Sequence, residues 1–293
     1  GTQASATQEL LDLFGLQESP FSSPKPTKMI EDFILRFTDK NDFILDFFSG
    51  SGTTAESVFK ANAYDIGERR FILVQLQEDL DKALETAQKD AVNPLKIAID
   101  YLSNLNRPHF ITEIGKERIR RAGQQILKQV QNDTNTLVSA GNELAKTNSG
   151  GGTASVPSSL DVGFRVLKVD SSNMQDVYYS PDNLHKQNLF QDNVKPDRTA
   201  EDLLFQVMLD LGVELSCKIT TKEINGKKVY YVNENYLVAC FDQEITEETI
   251  TQIAKEKPYY FVMRDSGFAN DSVATNFEQI FTTYSAETVR KVL

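Results

Sequence analysis

A glycine-rich loop in the first quarter of the chain is the segment best suited to bind a ligand. Gly50 and Gly52 follow a short apolar run that ends in Asp46, and Thr53 and Thr54 come directly after them. Glycines let the backbone turn tightly and let a ligand approach it closely. If a helix begins after the loop, its first amides face that ligand and favour a carboxylate or a phosphate. The pattern therefore predicts a pocket for an anionic group.

Two common nucleotide-binding motifs fit this loop imperfectly. A dinucleotide-binding loop of the G-x-G-x-x-G type has a third glycine where Ala55 stands, although alanine is tolerated at that position. A phosphate-binding P-loop needs a lysine where Thr53 and Thr54 stand. A Rossmann enzyme that uses a nicotinamide cofactor remains an alternative, because it shares the layout of strand, glycine loop and helix.

The wider surroundings of the loop resemble a known family. The segments that carry the resemblance are residues 24–26 (PKP), 44–46 (ILD), 48–54 (FSGSGTT), 69–74 (RRFILV) and 161–166 (DVGFRV). In combination they resemble the cofactor half of amino-methyltransferases that act on DNA. They look most like the modification subunit of type III restriction-modification systems. The resemblance covers roughly residues 8–175 and extends more weakly to the C-terminus.

The resemblance implies that the cofactor is S-adenosylmethionine and that the loop holds its methionine portion. Asp46 would lie close to the cofactor's ammonium group, and Lys25 would pair with its carboxylate. Gln75 stands where many relatives carry an acidic residue for the ribose hydroxyls, and an amide can still accept one hydrogen bond and donate another. The residues expected to contact the cofactor are Pro24, Lys25, Pro26, Asp46, Phe48, Gly50, Ser51, Gly52, Thr53, Thr54 and Gln75.

The catalytic motif of that family is missing from the sequence. In such enzymes an Asp/Asn-Pro-Pro-Tyr/Phe motif takes up the flipped base, and here none of the nine prolines adjoins another. We therefore expect no catalytic residue in this chain. It would be a C-terminal portion of a DNA N6-adenine methyltransferase, truncated at its N-terminus and inactive alone. The alternative is a non-catalytic S-adenosylmethionine-binding or assembly subunit whose partner supplies the motif.

Charge and composition bear on partners and location. The net charge is −11, whereas proteins that bind DNA phosphates usually present a basic face, so we expect DNA to be bound mainly by missing N-terminal regions. The densest basic run, residues 116–121, is typical of a solvated helix face. Without a signal peptide or a long apolar run, we expect a cytoplasmic protein with no membrane contact. Two cysteines and two histidines leave little for a metal site or a Ser-His-Asp triad.

The apolar pattern of residues 1–175 predicts an α/β domain with part of a Rossmann-like methyltransferase sheet. Short apolar runs at residues 43–47 and 70–74 predict strands buried on both faces of a parallel sheet, with a helix from Thr53 between them. Residues 131–159, rich in Gly, Ser, Thr and Asn, predict a flexible loop. Residues 161–169 predict a strand that rejoins the sheet.

Besides the helix after the loop and a short helix at residues 8–16 that Gly15 closes, two helices are predicted in this domain. Thr27 is the expected N-cap of the first. The second is amphipathic and runs from Ile111 to about Gln129. Its predicted apolar face consists of Ile114, Ile119, Ala122 and Ile126.

Residues 176–293 predict a second, smaller α/β module. Thr199 and Asp202 form a capping-box pattern at the start of a helix, and Asn225-Gly226 predicts a tight hairpin. The module has no recognisable chemistry of its own. In a family that works in assemblies, we expect it to mediate homodimer formation or contact with the restriction subunit.

Overall fold

The chain folds into two compact units, Gly1–Phe164 and Arg165–Leu293, in a computed structural model. The structure describes residues 2–144, 160–175 and 193–293. Helices and strands occur in both units, which confirms the mixed α/β class. The division between the units falls after Phe164, whereas the sequence pattern places it at residue 175. Within the described residues, no helix combines the length and the apolar character needed to cross a bilayer.

The first unit places helices around a short parallel sheet. Its elements are α1 (Gln3–Phe14), α2 (Thr27–Phe37), β1 (Phe43–Asp46), α3 (Thr53–Asp65), β2 (Arg70–Leu73), α4 (Leu80–Glu85), α5 (Lys89–Asn104) and α6 (Ile111–Leu144). β1 pairs in parallel with β2, with Asp46 opposite Leu73. Because parallel strands end at the same edge of a sheet, the loops that follow β1 and β2 lie side by side there.

The start of α2 differs from the prediction by one residue. Thr27 is the first helical residue, not the N-cap, and Pro26 occupies the cap position with φ of −67°. The amide and the hydroxyl of Thr27 both donate to the Glu9 carboxylate, at 3.0 and 2.5 Å. The threonine hydroxyl thus binds a neighbouring helix instead of capping its own.

The expectation that β1 and β2 are buried on both faces is wrong for this chain. Side chains alternate across a strand, and here only one side is covered. Ile44 and Phe71 pack against α2 and α3. On the other side Leu45 is 60% exposed and Ile72 is 50% exposed. Among the described residues, no core cluster includes Leu45 or Ile72, so the outer face of this two-stranded sheet is open.

The region after α5 also departs from the prediction. α6 begins at Ile111 as expected but continues to Leu144, so residues 131–144 of the predicted flexible loop are helical. Extending an existing helix adds one backbone hydrogen bond per residue without a new nucleus, which makes Asn, Thr and Ser tolerable there. Residues 145–159 lie outside the described residues. Residues 161–169 form no strand; instead Leu160, Val162 and Phe164 pack beside α3 and α6.

The second unit is a five-stranded mixed sheet with helices on both faces. Its elements are α7 (Ala200–Asp210), β3 (Ile219–Ile224), β4 (Lys227–Val232), β5 (Leu237–Cys240), α8 (Glu247–Lys255), β6 (Tyr260–Met263), α9 (Asp271–Tyr284) and β7 (Val289–Val292). The strands lie in sequence order, antiparallel from β3 to β5 and parallel from β5 to β7. α7 covers one face, and α8 and α9 cover the other.

Local signals predicted the first half of this unit correctly. The capping box of Thr199 and Asp202 is formed at the start of α7. Asn225 and Gly226 connect β3 to β4 with φ values of 50° and 76°, which suits a tight hairpin turn. α9 and β7 were not predicted, although Val273, Phe277 and Phe281 of α9 are buried and recur at helical spacing.

Candidate functional site

The loop between β1 and α3 is fixed on several sides. The amide of Ser49 donates to the carbonyl of Val74 (3.2 Å), and the amide of Gly52 donates to the carbonyl of Ser49 (2.8 Å). Gly50 and Gly52 have φ values of +51° and +80°, a left-handed region that favours glycine. A Cβ on Gly52 would lie 3.1 Å from the carbonyl oxygen of Gly115 in α6. The second glycine is therefore needed both for the turn and for close packing against α6.

Asp46, the last residue of β1, ties the strand to the start of α3. Its Oδ1 accepts a hydrogen bond from the amide of Phe48 (3.0 Å), and its Oδ2 accepts one from the hydroxyl of Thr54 (2.6 Å). A carboxylate offers about four lone-pair sites, so it can accept a further donor such as an ammonium group. The side chain predicted to bind a ligand thus also holds the loop.

Gln75 reaches the loop from the end of β2. Its Oε1 accepts a hydrogen bond from the amide of Gly50 at 2.8 Å. One lone pair of that oxygen is therefore used within the protein, and one remains for an external donor. The structure brings Gln75 next to the loop, as the resemblance implied, and adds a bond to the Gly50 amide that the resemblance did not imply.

The Pro24-Lys25-Pro26 segment lies against the N-terminus of α3. The carbonyl of Lys25 is 3.4 Å from the hydroxyl of Thr53. Both prolines are buried, and the Lys25 side chain is exposed. α3 itself begins after Gly52 with no side-chain cap. The exposed Lys25 side chain therefore lies near the first turn of α3, whose amides no side chain caps. Free helix amides beside a positive charge are suitable for binding a carboxylate.

The hydroxyls of Ser51 and Thr53 point into the protein. Both accept hydrogen bonds from Nη1 of Arg118, at 2.9 and 2.7 Å. The prediction that residues 116–121 form a solvated helix face is wrong for Arg118, whose side chain is 0% exposed. Its burial could be inferred in part from the sequence, because Arg118 follows Ile114 by four residues and so lies on the apolar side of α6. A cation at such a position signals a buried partner.

That partner is Glu56 in the first turns of α3. Its Oε2 accepts from Nε of Arg118 at 2.8 Å, and its Oε1 lies 2.7 Å from Nζ of Lys60. Burial raises the pKa of Glu56, but the charges and hydrogen bonds of Arg118 and Lys60 outweigh it and hold the pKa below its usual 4.5. The result is a charged, buried group directly behind the loop.

An open apolar groove lies beside the loop, along β1 and α2. Its volume is about 410 Å³, and it is lined by Ile30, Phe33, Ile34, Phe37, Thr38, Ile44, Leu45, Asp46, Phe47, Phe48 and Thr54. The rings of Phe47 and Phe48 are 5.2 Å apart, and Phe48 is 82% exposed. Aromatic rings this exposed next to a glycine loop offer a flat apolar wall to a ligand or to another polypeptide.

A Ser-His-Asp contact exists in the same unit, although the two histidines had suggested little scope for one. Nδ1 of His109 is 2.9 Å from Asp81, and its Nε2 is 2.8 Å from the hydroxyl of Ser103. That hydroxyl also donates to the carbonyl of Ile99 in its own helix at 2.8 Å. The contact links α4, α5 and the segment before α6 on an exposed surface, and we assign it a structural role. No group of side chains in the described part of the chain could hold a metal ion.

A known protein family matches the segment that contains the glycine loop. Residues 4–82 match a family described as DNA methylase, a span that contains β1, the glycine loop, α3 and β2. The Mod subunit of the type III restriction-modification enzyme StyLTI from Salmonella typhimurium is 37% identical over 119 residues, which is 41% of this chain and 15% of that protein.

Two further relatives are Mod subunits of the same kind. The EcoP15I Mod subunit of Escherichia coli is 35% identical over 113 residues, 39% of this chain and 16% of that protein. The EcoPI Mod subunit of Escherichia phage P1 is 44% identical over 79 residues, 27% of this chain and 12% of that protein. The predicted resemblance to type III modification subunits is confirmed. The matches cover no more than 16% of the length of these relatives.

Proposed function

We propose that the first unit binds S-adenosylmethionine as the cofactor half of a DNA N6-adenine methyltransferase of a type III restriction-modification system. One observation carries the proposal: the family match at residues 4–82 coincides with a parallel strand pair whose adjoining loops meet at one edge. Ligands of open α/β sheets bind at the carboxyl ends of the strands. On this view β1, α3 and β2 are part of a Rossmann-like methyltransferase sheet.

The residues around the loop fit the chemical groups of this cofactor. The uncapped start of α3 and the exposed Lys25 offer donors and positive charge to the carboxylate of the methionine part. Asp46 has lone pairs left for the ammonium group, and Gln75 has one for a ribose hydroxyl. When bound, the cofactor would supply an activated methyl group on its sulfonium. The residues of this chain bind and orient it.

The buried hydroxyls modify the predicted set of contacts. Ser51 and Thr53 face Arg118, and the Thr54 hydroxyl donates to Asp46. We infer that these three residues act on the cofactor through their backbone amides and through the loop conformation, whereas Phe48 provides an apolar wall. Pro24 and Pro26 hold Lys25 in place from a buried position.

The base-binding part of the enzyme would come from outside these 293 residues. The sequence has no adjacent prolines, so it lacks the motif that takes up a flipped base. The open face of β1, with Leu45, Phe47 and Phe48 exposed, supports a covering polypeptide at this point. That polypeptide is either more of the same protein or a partner that supplies the motif in trans. In both cases the chain is inactive alone and depends on the other part for most DNA contact.

The second unit supports an assembly role. Its buried core is almost entirely apolar, and its sheet leaves β3 and β7 as edges. We propose that residues 176–293 join two copies of the protein or bind the restriction subunit. Light scattering on a size-exclusion column would then give the mass of a dimer, or of a complex when the restriction subunit is added. A chain that stays monomeric and binds no restriction subunit would refute this part.

Calorimetric titration separates the cofactor proposal from a nicotinamide-binding Rossmann enzyme. S-adenosylmethionine and its demethylated product S-adenosylhomocysteine should each bind the 293-residue chain at one site, and NAD should not bind. Binding of NAD without binding of S-adenosylmethionine would reject the proposal in favour of that alternative.

A charge introduced at residue 75 tests where the ribose lies. Gln75→Glu keeps an acceptor for the Gly50 amide and gives the ribose a charged acceptor, so S-adenosylmethionine should bind about threefold to tenfold more tightly. Gln77→Glu is the matched control, because Gln77 is exposed two residues further on and changes the net charge equally. Equal effects of the two substitutions would mean that residue 75 does not contact the cofactor.

A further inference from the structure

Arg118 is the most deeply buried charged residue in the described part of the chain. Its side chain is 0% exposed, and it lies in α6 one turn after Gly115. Nε donates to Glu56 at 2.8 Å, and Nη1 donates to the hydroxyls of Ser51 and Thr53 at 2.9 and 2.7 Å. A guanidinium is suited to this, because its planar fork holds several acceptors at fixed angles.

The two hydroxyls flank Gly52, the residue on which the loop turns into α3. Arg118 therefore holds the loop immediately before and immediately after its left-handed glycine. Gly115 allows the same helix to approach, because a Cβ at that position would lie 3.2 Å from the carbonyl oxygen of Gly50. α6 thus contacts the back of the loop through a glycine and an arginine one turn apart.

The charge of Arg118 matters as well as its shape. Glu56 is a buried carboxylate in the first turns of α3, close to the amides that would receive an anionic group. A buried carboxylate without a partner is costly, and its negative charge would oppose a second carboxylate at the same helix end. Arg118 and Lys60 neutralise it from two sides.

We propose that Arg118 is the positioning residue of the cofactor loop: it fixes the loop through Ser51 and Thr53 and neutralises Glu56, so that the α3 N-terminus can receive the carboxylate of the cofactor's amino-acid part. The inference rests on the proposed function for the identity of the ligand. It assigns to α6, which lies beyond the matched residues 4–82, a part in shaping the site.

The test compares Arg118 with a second buried arginine of the same unit. Arg69 donates to Asp65 through both Nη atoms at 2.9 and 2.8 Å, and it lies at the other end of α3, away from the loop. Arg118→Gln and Arg69→Gln each remove one buried cation from a carboxylate, so both should lower the unfolding temperature. Hydrogen exchange of residues 49–54 without ligand and the affinity for S-adenosylmethionine are then measured in both.

The expected results differ between the two variants. Arg118→Gln should speed exchange in the loop and weaken S-adenosylmethionine binding by about tenfold or more, the effect of losing hydrogen bonds to a charged group. Arg69→Gln should leave both at the wild-type level. Arg118→Lys keeps the charge but loses the planar guanidinium, so it should speed loop exchange with a smaller loss of affinity. It takes the place of Arg118→Gln if that variant fails to fold.

A double variant separates the two roles of Arg118. In Arg118→Gln with Glu56→Gln, affinity should recover in part, because no unpaired carboxylate remains, while loop exchange stays fast. Equal loop exchange in the Arg118 and Arg69 variants would overturn the inference. If the wild-type chain binds no S-adenosylmethionine but its loop exchange responds to Arg118→Gln, the proposed function fails and the role of Arg118 in holding the loop is confirmed.

Discussion

The two units of the chain enclose their parallel strands to different degrees. In the second unit all four residues of β5 are buried, and so are Phe261, Val262 and Met263 of β6. In the first unit β1 and β2 expose every second residue. The same class of short parallel strand is thus enclosed in one unit and open in the other, which indicates that the second unit completes its own core.

The buried charges show the reverse distribution. Among the described residues, the buried charged side chains are Glu56, Arg69, Glu113 and Arg118, and all four belong to the first unit. Buried ion pairs rarely add net stability, because desolvation offsets the attraction between the charges. Among these four, Arg118 contacts the glycine loop and pairs with Glu56, which supports a role of that pair in shaping the loop. The second unit, in contrast, has no buried charged side chain among its described residues.

The largest predicted difference between the units is the loss of stability when a strand leucine is replaced by alanine. Leu237→Ala in β5 should lower the free energy of unfolding by about 2–5 kcal/mol, because it leaves a cavity in a closed core. Leu45→Ala in β1 should change it by less than about 0.5 kcal/mol, because Leu45 is already in contact with solvent. Urea denaturation followed by circular dichroism measures both. Equal losses would mean that the open face of β1 is covered in solution.

Two glycines with left-handed φ values, one in each unit, allow a second comparison with a smaller expected loss of stability. Gly52→Ala forces a Cβ against the Gly115 carbonyl in addition to the unfavourable φ, whereas Gly212→Ala at the end of α7 meets no atom within 4 Å. We expect about 1–2 kcal/mol of destabilisation for Gly212→Ala from the backbone alone, and a larger loss for Gly52→Ala. Only Gly52→Ala should also abolish cofactor binding. An equal loss of stability would contradict the close packing of loop and α6.

The effect of pH should be smaller, and in the first unit it should depend on Glu56. Burial raises the pKa of Glu56, but Arg118 and Lys60 outweigh it and lower the pKa below 4.5 in the folded state. A lowered folded-state pKa gives stability that is complete above the unfolded value and is lost as the pH falls through the folded value. The first unit should therefore lose stability below about pH 4.5, and Glu56→Gln should reduce that dependence.

Hydrogen exchange at a series of pH values measures this unit by unit. Slower exchange should persist in β5 and β6 at a pH at which α3 has begun to open. A variant Glu56→Gln that shows the same acid dependence as the wild type would mean that the Arg118 pair does not control it.

Features with a local sequence pattern were predicted better than features that depend on contacts between distant residues. The Asn225-Gly226 hairpin follows from contacts between near neighbours, and the strand ending at Asp46 and the glycine loop have a recognisable local sequence pattern. All three were predicted correctly. The start of α2 was misplaced because Thr27 binds Glu9, which is distant in sequence. The extension of α6 to Leu144 was missed because its composition favours loop, while an existing helix propagates easily.

Only the motif residues of the site were predicted from the sequence. Asp46, Gly50, Gly52 and Gln75 lie together as the motif implied. The back of the loop was not predicted, because the bond from Arg118 to Ser51 joins residues 67 positions apart. The exposure of Leu45 could not be read either, since an apolar run looks the same whether or not a polypeptide covers it.

Hydrogen exchange of the whole 293-residue chain with and without S-adenosylmethionine tests the central claim most directly. We expect the cofactor to slow exchange at residues 24–27, 46–54 and 75–76 and to leave β3 to β7 unchanged. No protection at the loop at saturating cofactor, or protection confined to the second unit, would contradict it.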